Sequence, residues 1–390
     1  MTNSSAPLVS IITSYYNDQE FLADAISSVL AQTYTNFEYI LVNHASTDNS
    51  RQIAHSFHDA RIKHIDLPRN YGASGNILIK KAMEKASSQG QYIKLLCADD
   101  YLLPDSLEKL VAAAQQTNAD LVFGNIAFVS KNRDLLNKTW FTHRFPANTP
   151  TAVYVKELLQ GNSCLPYAGN LIKRTAFEKI PLDYTCVNIA DMSLWACLLL
   201  QGASLNFVED TVCQYRIHSG NLCSFRKKKV IEKRNLFEHV LFIKQCIRTA
   251  SSVAILKQLF PKDPFAQQLQ DEDGCLVPFV LARILHEHAN LLAFRYAARL
   301  AIAEILNDYA LQQKIEEKFG YSLRDFRQRL IAEPYQILPF YGKNRDMKTA
   351  GLGSLSYFFF RKILHILTLH DYKEKKKHAP DPKKQSSDVV

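Results

Sequence analysis

Two adjacent carboxylates, Asp99 and Asp100, close the strand-length apolar run Tyr92-Ile93-Lys94-Leu95-Leu96-Cys97-Ala98 with no turn residue between. Burying such a run is favourable and burying Asp is costly. The pair is therefore expected at the C-terminal mouth of a strand, where a ligand or cation compensates it. In open α/β sheets that edge is where ligands bind. Paired carboxylates facing a phosphorylated ligand suit Mg²⁺ or Mn²⁺, hard cations that take oxygen donors and leave positions for phosphate oxygens. The competing reading is structural: with Asp105, the two acids would only cap a helix that begins near Pro104. A third acid, Asp191, opens the almost wholly apolar segment Asp191 to Leu200, as an N-cap or as a catalytic group. His218 ends a strand-like run from Ser204, directly after Gln214-Tyr215-Arg216-Ile217. A lone His is usually structural, but one at a strand end after basic and aromatic residues is well placed to meet a ligand.

The elements that must carry these groups follow from periodicity. Val9 to Ile12 reads as a buried strand, with Asn17, Asp18 and Glu20 predicting a capping box for the helix that follows. Phe21, Leu22, Ala25, Ile26, Val29 and Leu30 form one stripe of that helix. Phe37 to Val42 is a second strand, and the βαβ spacing makes the two parallel. Alternation continues: a helix at Ser50 to His58, a strand at Ile62 to Ile65, a helix at Ile77 to Ala86, the Asp-Asp strand, a helix at Asp105 to Gln116 and a strand at Asp120 to Gly124. The fold class is α/β, a Rossmann-like, mostly parallel sheet covered on both faces. The polar clusters all follow strands and so can converge on one edge. In the loop Arg69 to Asn76, Gly72 and Gly75 could bring backbone amides to a phosphate or form a plain turn. From Lys227 the character is helical, with amphipathic segments at Phe237 to Ile247, Phe279 to Ala298 and Ile302 to Phe319. The expected division is 1–225 catalytic, 226–350 helical, and 351–390 an amphipathic helix with a basic, disordered tail.

Composition narrows the function classes. The chain has 390 residues, nearly half of them apolar, enough for a large core. Its eight cysteines show no C-x-x-C pair and mostly lie in apolar segments, which suits reduced thiols rather than a disulfide framework or zinc site. Residues 1–7 hold no basic n-region, so no signal peptide is read, and no run reaches the roughly 18 apolar residues of a spanning helix. The expected location is cytoplasmic, with a possible peripheral contact on the inner face of the cell membrane. The net charge of +9 is concentrated at Arg226 to Arg234 and Lys373 to Lys384, patches that suit phosphate or anionic lipid or are simply solvated.

Val9-Ser10-Ile11-Ile12 with Tyr16-Asn17, then Ser28-Val29-Leu30-Ala31-Gln32-Thr33-Tyr34, Asn36-Phe37-Glu38, Ser46-Thr47-Asp48, Asn70-Tyr71-Gly72, Asp99-Asp100 and Leu103-Pro104-Asp105-Ser106-Leu107 carry a family likeness. In this order and spacing they resemble a family 2 glycosyltransferase of the GT-A fold, of the bacterial cell-surface glycan type. Asp191 to Trp195 and Tyr215 to His218 continue it, so that it covers about residues 7–224. The resemblance implies that Ser14, Tyr16, Asn43 and His44 line a nucleotide pocket, with Asn70 and Gly72 on the same nucleotide-sugar side. It further implies Asp100 as the foremost metal ligand, Asp99 beside it nearer the ribose or donor sugar, His218 near the diphosphate or metal, and Asp191 as the acceptor-side base. Two departures stand out. Asn43 and His44 replace two common acids, and Cys97 stands where an acid is frequent.

The implied activity is inverting transfer of a sugar from a nucleoside diphosphate, a UDP-sugar favoured, to a hydroxyl of a saccharide or lipid-linked acceptor. The implied cofactor is Mg²⁺ or Mn²⁺. A nicotinamide dehydrogenase would require G-x-G-x-x-G where this chain has Thr13-Ser14-Tyr15-Tyr16-Asn17. A non-catalytic nucleotide-sugar-binding protein on the same scaffold is the alternative, and no nucleic-acid motif is found. Phe360, Ile363, Leu364 and Leu367 would share one face of a helix over Ser356 to Tyr372, followed by Lys373 to Lys377. That is the pattern of an interfacial anchor, or of a helix docked on the protein.

Overall fold

Segments too apolar to face water on either side pair with one another, and here they build the half of a sheet that carries the acids. In the computed structural model, residues 6–332 are described, except 73–74, 88, 140–148, 182–185, 222–227 and 290–291. The tail helix and the basic stretch at 373–384 lie outside the described residues, as do residues 226 and 227 of the first basic patch. The strands are β1 (Leu8–Tyr15), β2 (Phe37–Asn43), β3 (Ile62–Asp66), β4 (Gly90–Leu95), β5 (Tyr101–Leu102), β6 (Leu121–Val129), β7 (Leu135–Thr139), β8 (Asn170–Lys173) and β9 (Leu205–Arg216). They form one nine-stranded sheet in the order β3-β2-β1-β4-β8-β6-β9-β5, with β7 hanging on β6.

β1, β2, β3 and β4 pair in parallel, as do β6 and β9, and β8 runs antiparallel between β4 and β6. The mostly parallel α/β expectation holds. Periodicity did not foresee the short antiparallel strands β5 and β7, which are too brief or too polar to carry a pattern. β8 matters most among the antiparallel strands, because it separates the acid-bearing β4 from β6 and brings the turn at Tyr167–Gly169 to the sheet's edge.

Helices cover the sheet: α1 (Leu22–Leu30), α2 (Ser50–His55), α3 (Gly75–Met83), α4 (Ser106–Thr117), α5 (Thr151–Leu159), α6 (Arg174–Phe177) and α7 (Ala190–Leu200). The apolar stripe of α1 is buried through Leu22, Ala25, Ile26 and Val29, beside Leu107, Leu110 and Val111 of α4 in one core. The capping box is not formed. The helix starts after Phe21, with no side-chain cap, because Asn17 sits in the left-handed region at φ 58° and turns its amide to Thr47 instead. Nor do Asp99 and Asp100 cap α4, whose N-cap position is Asp105. There the free Leu107 N–H is taken by Gln32 Oε1 at 3.0 Å.

After β9 the chain is helical through α8 (Lys228–Thr249), α9 (Val253–Leu259), α10 (Pro264–Gln268), α11 (Val277–His288), α12 (Leu292–Leu306), α13 (Tyr309–Phe319) and α14 (Leu323–Ala332). The apolar run read as one helix over 279–298 is thus divided between α11 and α12. Everything described up to Leu323 belongs to one compact unit, and residues 324–332 belong to a second. Among the described residues no helix is long and apolar enough to cross a membrane, and the seven described cysteines are free thiols.

Gly169 shows how tightly the turn before β8 is seated. A Cβ built there would collide with the backbone oxygen of Gly124 in β6, which cannot move aside as a side chain can. Gly169→Ala is expected to cost about 1–3 kcal/mol, the usual range for overpacking. Chemical denaturation should show that loss, and an unchanged midpoint would mean that the sheet yields there freely.

Candidate active site

Strand β4 ends at Leu95, earlier than its apolar run suggests, and Cys97 to Asp100 turn out of the sheet with the Asp100 N–H donating to the Cys97 carbonyl at 3.3 Å. The acids thus leave the ladder at the strand's C-terminal end. Asp100 is 1% exposed. Its Oδ1 accepts the Arg216 backbone N–H at 2.9 Å, and its Oδ2 is buried with no hydrogen-bond partner. Burial and the neighbouring Asp99 charge push the Asp100 carboxyl well above the usual range, against the pull of the Arg216 N–H and the Lys94 charge.

One oxygen from each of Asp99 and Asp100 and the Cys97 sulfur lie within 4.8 Å of one another. Two carboxylates this close, one with an orphaned buried oxygen, fit a divalent cation. The Cys97 thiol is held protonated by burial and by the flanking acids, so the oxygens are the ready donors.

His218 meets this group through Asp99. Its Nδ1 accepts the Gly220 N–H at 3.2 Å, so the proton resides on Nε2, which lies 3.0 Å from Asp99 Oδ2. Asn221 also donates to that oxygen at 3.1 Å and accepts the His218 N–H. With its Nε2 proton turned to Asp99, the imidazole serves here as a partner of the acid rather than as a lone-pair donor to an ion. Asn221 escaped the sequence reading, where only its place three residues after His218 in a glycine-containing turn marked it.

Arg216, from the same strand end, is almost wholly buried. Its guanidinium pairs with Asp24 at 2.7 Å and lies 4.5 Å from the Phe21 ring centroid. Its charge and its backbone N–H thus both serve Asp100, and α1 holds it in place.

Beneath the acids, Lys94 is fully buried and donates to the carbonyls of Leu95 at 3.0 Å and Ala168 at 2.6 Å. Burial lowers its pKa to about 8. Asn170, also fully buried, bonds the Leu95 N–H and carbonyl at 3.0 and 2.9 Å and reaches the Tyr167 carbonyl. These two side chains fasten the 167–169 turn to the end of β4. A lysine inside an otherwise apolar strand was the sequence signal for this support.

Asp191 stands in the first turn of α7, and the N-cap position is Ile189, without a side-chain cap. Its Oδ1 accepts the adjacent Met192 N–H at 2.8 Å. The Cys97 thiol and the Tyr167 hydroxyl are each raised chiefly by burial, and the charges of Asp100 and Asp191 both add to the rise. Burial raises the Asp191 carboxyl itself to about 6. Asp18, read from sequence only as a helix cap, is likewise raised to about 6 by burial, with the Asp99 and Asp48 charges adding to it. Its Oδ2 accepts the Tyr16 N–H at 2.8 Å, so it links the acid cluster to the residues after β1.

Those residues form a second group with Asn43, His44, Asn70 and Gly72. Asn43 and His44 are 3% and 2% exposed. Asn43 donates to Asp66 at 3.0 Å and accepts the Ser46 N–H at 2.9 Å. His44 Nε2 accepts the Tyr71 N–H at 2.6 Å, and burial holds the imidazole neutral. The acceptor nitrogen of His44 is therefore occupied inside the fold. What this group offers to a ligand is the Tyr16 ring, 45% exposed, the Tyr71 ring, 36% exposed and stacked on His44, and the half-buried Ser14. Asn70 Oδ1 accepts the Gly72 N–H at 2.8 Å, and Gly72 holds φ 82°. Residues 73 and 74 of that loop lie outside the described residues.

With this geometry in hand, comparison with known proteins is informative. Residues 10–181 match the family described as Glycosyl transferase family 2. The putative teichuronic acid biosynthesis glycosyltransferase TuaG of Bacillus subtilis (strain 168) is 28% identical over 230 residues, 58% of this chain and 86% of that protein. The Escherichia coli UDP-Glc:alpha-D-GlcNAc-diphosphoundecaprenol beta-1,3-glucosyltransferase WfgD is 28% identical over 228 residues, 57% of this chain and 82% of that one. Among solved structures, S. aureus TarS 1-349 in complex with UDP has a TM-score of 0.48 and 15% identity over 84% of this chain and 91% of that chain, too distant a likeness to argue from. The match to glycosyl transferase family 2 thus runs through residues 10–181, the stretch that carries the paired acids at the end of β4.

Proposed function

We propose that the protein is an inverting, metal-dependent glycosyltransferase that moves a sugar from a nucleoside diphosphate, a UDP-sugar favoured, to a hydroxyl of a saccharide or lipid-linked acceptor in cell-surface glycan synthesis. The observation that carries this reading is the pair Asp99 and Asp100 at the end of β4, close enough to share a cation and with one buried oxygen of Asp100 unpartnered, within the stretch that matches glycosyl transferase family 2. The names of two relatives support the rest. One belongs to teichuronic acid biosynthesis, and the other takes UDP-Glc and a diphosphoundecaprenol-linked sugar. A lipid-linked acceptor in turn favours work at the inner face of the cell membrane, with the chain as a peripheral protein. The segment 226–350 is proposed to present that acceptor.

In this reading Asp100 and Asp99 hold Mg²⁺ or Mn²⁺, with His218 and Asn221 fixing the orientation of Asp99. The cation supplies neutralisation of charge on the departing diphosphate. Tyr16 offers a ring face to the base, and Tyr71, whose ring already meets His44 and the Arg69 guanidinium, borders the same pocket with Ser14, Asn70 and Gly72. Asp191 accepts the acceptor's proton as its oxygen attacks the anomeric carbon from the side opposite the diphosphate, which inverts that centre.

The metal assignment is tested by Asp100→Asn, which keeps the side-chain volume and removes the charge. Mn²⁺ binding followed by calorimetry should be lost, and transfer should fall by roughly 10²-fold or more. Undiminished turnover in that variant, or in wild type after exhaustive chelation, would rule the assignment out.

Asp191→Asn tests the base. An Asn can still accept the Met192 N–H but cannot take a proton at neutral pH, so transfer should fall by roughly 10²- to 10⁴-fold with donor binding intact. The folded carboxyl lies above its unfolded value, so its ionisation opposes folding, and stability from this group declines as pH rises from about 4 through about 6. The melting temperature of the variant at pH 7 should therefore match or exceed wild type. For wild type, the rate should drop as pH falls below about 6, because the base becomes protonated. Asp18 titrates in the same window, so the limb is assigned in Asp18→Asn. Its persistence there identifies Asp191, and its disappearance points to Asp18.

A further inference from the structure

The carboxylate of Glu238 lies far from the acids in sequence and outside residues 10–181, yet it is 2% exposed and has a specific partner set. Its Oε2 accepts three consecutive backbone N–H groups, from Val187 at 3.0 Å, Asn188 at 2.8 Å and Ile189 at 3.3 Å. Three N–H groups converging on one oxygen form an anion nest, and this one lies at the entrance to α7. That helix has no side-chain cap of its own at Ile189, so a carboxylate from α8 provides the negative charge that its N-terminus favours. The grip is reinforced at neighbouring points. The Cys186 thiol donates to the Glu238 carbonyl at 3.8 Å, and Gln245, two turns further along α8, donates to the Pro181 carbonyl. Asp191 follows Ile189 by two residues on the same rigid turn.

We propose that Glu238 is a positioning residue for the transfer reaction: by clamping the backbone at 187–189 from the helical segment, it aims the Asp191 carboxylate at the space beside Asp99 and Asp100. The proposal rests on Asp191 as the base. It also gives the helical segment a part in catalysis besides any contact with acceptor. Glycosyl transfer would then depend on α8 holding α7 in register with the sheet, because α7 is buried nearly all round.

The test compares Glu238→Gln, Glu238→Asp and Glu238→Ala in the full chain, reading kcat, donor KM, donor-free Mn²⁺ affinity and the pH profile of transfer. Gln retains an acceptor oxygen at the same reach and should stay within about threefold of wild-type kcat. Asp falls one methylene short of the nest, and Ala removes the acceptor. Both are expected to lose about 10- to 100-fold in kcat, with donor KM and Mn²⁺ affinity within about twofold of wild type. Their acid limb should move below pH 6, since an Asp191 released toward water loses the burial that raises it. Wild-type kcat and an unmoved limb in Glu238→Ala overturn the proposal. If Glu238→Ala fails to bind donor, Glu238→Asp is judged by the same criterion. A drop in Mn²⁺ affinity equal to the drop in kcat likewise overturns it, because general loosening rather than aiming would be at work. The Asp191→Asn result keeps the two ideas apart. An active Asp191→Asn removes the base assignment, whereas an inactive one beside a fully active Glu238→Ala removes only the clamp.

Discussion

A carboxylate buried at the end of a strand, with one oxygen held by a single backbone N–H and the other bare, is an unfavourable placement, and much of the surrounding structure answers to it. Asp100 is in that position. An isolated buried carboxylate would simply take up a proton. Here Arg216 brings both a guanidinium and a backbone N–H and Lys94 brings a buried ammonium, whereas Asp99 adds a second negative charge. The site therefore holds in its fold an unfavourable electrostatic arrangement. Such stored cost is typical of functional rather than structural positions.

The supports come from distant parts of the chain. Arg216 is anchored by Asp24 in α1 and by Phe21 just before it, so the first crossover helix and β9 meet over the acid. Lys94 and Asn170 tie the end of β4 to the 167–169 turn, whose passage beneath β6 leaves no room for a Cβ at Gly169. Glu238 reaches from α8 to the entrance of α7. Sheet, turn and helical segment thus each contribute one of these supports.

The group proposed to meet the nucleotide is built on different terms. Asn43 and His44, where the family commonly has acids, are turned inward and spend their polar atoms on Asp66, Ser46 and Tyr71. Two exposed aromatic rings and a hydroxyl remain at that surface. Recognition there would draw on ring faces and backbone more than on a buried carboxylate, and the charged chemistry is concentrated at the β4 end.

The residues by themselves determined the alternation of strands and helices through β6, apart from the two-residue β5, together with the apolar stripe of α1, the parallel βαβ start and the acids at a strand mouth, because each of these is set by periodicity within one local segment. The likeness in residues 7–224 carried the family. Tertiary structure alone decided the rest. The capping role read for Asn17 gave way to a left-handed turn laced to Thr47, since a loop thirty residues away offered its amide better partners. The apolar run before Asp99 left the sheet at Leu95, because β8 pairs with β4 only at Tyr92 and Ile93. Asn221, Asp18, Lys94 and Glu238 entered the site or its frame through contacts across long sequence separations, and a pattern read along the chain holds no term for such contacts. Charge and burial at a point in space depend on which segments meet there, and only the folded chain specifies that.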